Sequence, residues 1–125
     1  MGYHELVLLV GRVLIGGVFV WGGIDHFWHF RPPLMIMKAR GVPYAAAVLV
    51  IGSLWELVLG ALVLAGLWIV PASLGLVVFT VIATIIMHNF WDHSGKERVE
   101  HTHVVLGNTM VVGGLLVLAA SVTSI

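Results

Sequence analysis

Four long apolar runs, broken by two polar stretches, set the pattern of this chain. The runs cover about Leu6–Ile24, Tyr44–Leu67, Ala72–Phe90 and Val104–Val122. Each is close to the ~20 residues that a helix needs to cross a bilayer. No Asp, Glu, Lys or Arg lies between Glu56 and Asp92, a stretch too long for one span, and Gly66, Trp68 and Pro71 divide it in two. Pro43, just ahead of the second run, suits a helix start. The pattern predicts an all-α, integral membrane four-helix bundle forming a single domain over residues 1–125.

The polar stretches are Asp25–Pro43 and Trp91–His103. They hold every Lys and Arg outside the spans: Arg31, Lys38 and Arg40 in the first, Lys96 and Arg98 in the second. Four spans place both connections on one side. The excess of Lys and Arg makes that side cytoplasmic, with both termini outside. Within the first connection, Pro32 and Pro33 stop helix one, and Leu34–Arg40 reads as a short interfacial helix ended by Gly41. Glu5 stands where a cleavable signal would carry basic residues, and Arg12 interrupts the apolar run, so the first run reads as a retained span of an inner-membrane type protein.

Composition sharpens this picture. Hydrophobic residues make up 60% of the 125 and charged residues 10%, with a mean hydropathy of +1.08. Soluble domains carry about 25% charged residues. The formal net charge is zero, which leaves no electrostatic case for binding nucleic acid. The absence of cysteine excludes disulfides, thiolate metal ligands, Fe–S clusters and cysteine nucleophiles.

Arg12 and Glu56 are the ionisable groups well inside the predicted spans. A charge in hydrocarbon costs at least ~2.5–3.5 kcal/mol, so such residues pair and face the bundle interior. Counted from the polar connections, both lie about 18 Å deep at 1.5 Å per residue. This depth predicts an Arg12–Glu56 ion pair. Such a pair serves either as a register device between helices one and two or as the wall of a quinone or substrate pocket that relays protons.

Six of the seven histidines fall at the ends of the spans that carry the polar connections. His26 and His29 follow the first run with Asp25 beside them; His88 and His93 bracket the end of the third with Asp92; His101 and His103 precede the fourth. Imidazole binds metals and moves protons near neutral pH. A transition metal would take His26, His29, His88 and His93 as ligands. Proton transfer to a quinone is a second reading. The third is an interfacial belt, because Phe27, Trp28, Phe30, Phe90 and Trp91 are interleaved with these histidines. Gly11, Gly16, Gly17, Gly113 and Gly114, with Ala61 and Ala65, allow close helix approach without a strict GxxxG motif, and Asn89 and Asn108 offer hydrogen bonds across the bundle.

Several of these segments resemble the DoxX family. Arg12, Gly16-Gly17, Phe19 and Gly22 look like its opening, and Gly41-Val42-Pro43 with Glu56 and Gly60 resembles its second helix. His88-Asn89-Phe90-Trp91-Asp92 is similar to a His-Pro-Phe-Trp segment, and Asn108 with Gly113-Gly114-Leu115-Leu116 to a Lys-Asn…Gly-Gly-Leu-Leu closing run. The resemblance covers nearly the whole chain. It implies a four-helix membrane protein tied to respiratory or redox complexes, among them a quinone-reducing thiosulfate oxidoreductase and detoxifying oxidoreductases. Carried over by position, Arg12, Glu56, His88, Trp91 and Asn108 match the family pattern; Arg12 and Glu56 are the expected catalytic residues, and His88, Trp91 and Asn108 the expected cofactor-binding ones. Asp25-His26 and Gly107 stand where lysines are usual, which weakens any anion or thiosulfate site.

The expectation is therefore a small membrane subunit of a quinone-linked redox complex, with a histidine proton-transfer or metal site at one end. Its partners would be the lipid bilayer and other membrane or redox subunits, or further copies of itself. The alternative is a non-catalytic subunit that assembles or stabilises a larger membrane complex.

Overall fold

The structure, a computed structural model, describes residues 2–122. Among them run five α-helices: α1 (Tyr3–Trp28), α2 (Arg31–Ala39), α3 (Ala45–Ala65), α4 (Ile69–Met87) and α5 (Gly95–Ala120), with a single 3-10 turn at Phe90–Asp92. Four of these elements, α1, α3, α4 with its following turn, and α5, are long and apolar enough to cross a membrane. Their outer faces carry Leu14, Val18, Ile51, Val78 and Val117 exposed, the surface expected of helices solvated by lipid.

Two boundaries differ from the sequence pattern. α1 continues to Trp28 because nothing before Pro32 breaks it. Pro32 and Pro33 then occupy the first turn of α2, where a missing N–H costs nothing, so they open that helix as well as closing off α1. α5 begins at Gly95, nine residues ahead of the apolar run, since Lys96–His103 is polar yet contains no helix breaker. His101 and His103 therefore sit on a helix.

α1 packs chiefly on α3, α4 on α5, and α3 beside α4; α1 meets α5 more lightly. The α1–α3 seam is close because glycine faces backbone. A Cβ on Gly16 would lie 2.7 Å from the Leu64 nitrogen and 2.8 Å from the Gly60 oxygen. In a bilayer, close van der Waals packing of this kind drives helix association. The expected packing glycines Gly11, Gly17 and Gly113 have no neighbour within 4 Å of such a Cβ, whereas Gly60, across the seam, has Phe19 at 2.8 Å.

Two apolar clusters fill the bundle. Phe19, Val63, Ala72, Leu76, Leu115 and Leu118 form the larger, and Met37, Ala45 and Leu49 form a smaller one that seats α2 against α3 and the end of α4. The connections 29–44 and 88–94 meet at this second end. Arg40 donates to Asp92 Oδ2 at 3.1 Å and to the Ile86 carbonyl at 3.1 Å.

Candidate functional site

Between the two clusters lies a cavity of about 710 Å³ lined from all five helices. Most of its wall is apolar. Val18, Ile51, Val78 and Ile82 line it and are also exposed, so it opens sideways onto the lipid-facing surface. The polar groups on its wall are His26, Ser53, Glu56, Thr80, His88 and Asn108.

Glu56 is 6% exposed. Ser53 lies three residues earlier on α3, which puts both side chains on one helix face. Opposite them on α1, Gly22 has no side chain, and Glu56 Oε2 occupies the space that a Cβ there would enter, at 2.7 Å. One turn further along α1 comes His26. Its Nδ1 lies 3.1 Å from Ser53 Oγ in hydrogen-bonding alignment, and 3.2 Å from Glu56 Oε1. The second contact has the distance of an ion pair but lacks hydrogen-bond alignment, so Oε1 is a buried acceptor with no directed partner. Thr80 Oγ1, also buried, has none either. Beside it, Thr84 donates to the Thr80 carbonyl at 2.6 Å, and Asn108 Nδ2 donates to Thr84 Oγ1 at 2.9 Å, tying α5 to α4. A carboxylate and an imidazole in contact can hold and exchange one proton.

The expected Arg12–Glu56 pair does not form. In the α1–α3 register Glu56 lies level with Gly22, ten residues and about 15 Å along α1 from Arg12. Arg12 instead lays its guanidinium over Gly66, with Cζ 2.9 Å and both terminal nitrogens 3.0 Å from where a Cβ would stand. Gly66 closes α3 with φ +78°, so the cation rests at the negative end of a helix dipole. Equal depths had been counted from symmetrical span ends. The close glycine contacts along the α1–α3 seam set a register ten residues away from the one that equal depths predict.

The histidines separate into three places. His26 faces the cavity. His29 lies beyond the last residue of α1 and pairs with exposed Asp25 at 2.9 Å. His88, on the cavity wall, brings Nδ1 to 3.1 Å from Nδ1 of His101; the His101 ring stacks on His93 at 4.5 Å, and His93 in turn contacts Glu97 at 3.1 Å and Asn89 at 3.4 Å. His103 is exposed on α5. The ligand set His26, His29, His88 and His93 is thus not brought together, and among the described residues no three His, Asp or Glu side chains converge as a metal would need. Of the expected cofactor residues, His88 and Asn108 line the cavity; Trp91, 51% exposed in the 3-10 turn with its ring edge-on to Phe90, does not. Ser53 and Thr80 are not among the residues the sequence singles out, and His101 belongs to its histidine group but not to the expected ligand set. Ser53 was legible, three residues from Glu56; His101 needed the true start of α5.

The DoxX family model matches residues 7–89. Inner membrane protein YphA of Escherichia coli (strain K12) is 22% identical over 116 residues, covering 93% of this chain and 83% of that protein. No solved structure matches the chain.

Proposed function

Since this chain belongs to the DoxX family and is a multi-pass integral membrane protein, we propose that it is the small membrane subunit of a quinone-linked redox complex, with the lateral cavity as its quinone site. The observation that carries this reading is a buried carboxylate, Glu56, beside the half-buried imidazole of His26 on the wall of an apolar cavity open to lipid. Ligand sites are mostly apolar with a few convergent polar groups. Here the unpartnered Glu56 Oε1 and Thr80 Oγ1 are the groups a ligand would satisfy: Thr80 Oγ1 can bond the oxygens of either redox form of a quinone, and Glu56 Oε1 the hydroxyl of its reduced form.

When bound, a quinone supplies a couple of two electrons and two protons. Glu56 and His26 hold the proton nearest the ring. Ser53 fixes the His26 imidazole through Nδ1, and Gly22 leaves room for the carboxylate. With no cysteine in the chain to relay electrons, this reading has them exchanged with a partner subunit or a bound metal. A second reading, a non-catalytic assembly subunit, draws on the exposed Lys96, Glu97 and Glu100 in the first turns of α5, a charged surface for another chain.

The test is a titration of the detergent-purified protein with decyl-ubiquinone, read by quenching of tryptophan fluorescence; Trp55 is on the cavity wall. Saturable quenching is expected, weakened roughly tenfold or more by Ala83→Trp or Gly52→Leu, which fill the cavity, in variants whose circular dichroism is unchanged. Equal quenching in the folded variants would remove the cavity from this role and leave the assembly reading.

A further inference from the structure

We infer that the cavity selects the reduced, hydroxyl-bearing form of its ligand, a quinol in preference to the corresponding quinone. This rests on the quinone-site reading above and names the redox state that site takes. The unmet group on its wall is an acceptor. Glu56 Oε1 is buried and has no directed hydrogen bond, and Nδ1 of His26, its neighbour at 3.2 Å, is aligned on Ser53. As a carboxylate, Glu56 presents Oε1 with lone pairs only. A quinone oxygen is also an acceptor and would meet it lone pair to lone pair. A quinol hydroxyl donates, forming a charge-assisted hydrogen bond to a carboxylate that otherwise stays unsatisfied.

Thr80 is consistent with the same ligand. Its Oγ1, buried on α4 and without a partner, is free to donate or to accept, so it discriminates against neither form. Discrimination falls to Glu56 alone, which makes the inference testable at one atom. Sites built to bond a hydroxyl reject analogues that lack the donor far more strongly than apolar walls reject a change of size.

The experiment measures binding of decyl-ubiquinol and decyl-ubiquinone to the purified native protein by anaerobic equilibrium dialysis. The quinol is expected to bind roughly tenfold tighter or more. Glu56→Gln places an amide N–H₂ where the acceptor was, and is expected to reverse the order by weakening quinol and strengthening quinone. Infrared difference spectra of the native protein labelled with ¹³C-glutamate give a second readout that needs no variant: quinol is expected to shift a carboxylate band and quinone to leave it in place. Quinone binding as tight as quinol, or an unshifted carboxylate band, would overturn the inference while leaving the quinone site intact. Binding of neither form would overturn the quinone site itself, and this inference with it.

Discussion

The α1–α3 seam carries one intramembrane charge near each end, and the two have different surroundings. At one end the Arg12 guanidinium lies over Gly66, against the carbonyl end of α3. Its Nε is buried without a hydrogen-bond partner, and neither Arg12 nor Gly66 lines the lateral cavity. At the other end Glu56 sits beside His26 with one oxygen unmet, facing a space of about 710 Å³. A charge matched by a helix end holds two helices in register. A carboxylate with an unmet oxygen on a cavity wall also has capacity for a ligand. The contrast separates structural from chemical roles for two residues that look alike in the sequence.

Three substitutions test how far that separation holds. The largest effect is expected from Gly16→Leu, between the two charged ends. Its side chain meets Gly60 and Leu64 backbone, which has nowhere to yield, so both ends should fail together. Loss of monodisperse protein in size-exclusion chromatography would show it, whereas a stable variant would mean the seam is looser than the glycine contacts indicate. Gly66→Ala should cost about 1–2 kcal/mol, because an L-residue is strained at positive φ, and its Cβ also crowds Arg12. The melting temperature in detergent should fall while quinone affinity stays unchanged; a loss of affinity would show that the Arg12 end reaches the cavity. The smallest effect belongs to His29→Ala. Its exposed pair with Asp25 is worth at most about 0.5 kcal/mol, so stability and ligand binding should both match the native protein. A clear loss of bound ligand would place His29 with the cavity after all.

Much of the fold was legible along the chain. Apolar runs of spanning length and Gly/Pro punctuation between Leu67 and Pro71 lead directly to four helices, because backbone in lipid must satisfy its own hydrogen bonds. The site was legible only in part. Glu56 stands out as a charge inside an apolar run and Ser53 shares its face, but its partner is not legible, since depth along each run does not set the register that the glycine contacts impose between α1 and α3. His101 was assigned to a connection for a different reason: a polar first half hid the early start of α5.

By itself the sequence determined that this is a four-helix membrane protein with two charges in its spans and histidines gathered toward one end. Composition and period are local properties, and the bilayer reads them locally. Only the tertiary structure decided that Arg12 meets a helix end, that Glu56 meets His26, and that the histidines part into a cavity residue, a surface pair and a His88–His101–His93 stack. Those pairings depend on the register between helices far apart in the chain. Side-chain volume at positions such as Gly16, Gly22 and Gly60 sets that register, and it becomes visible only when the helices are packed together.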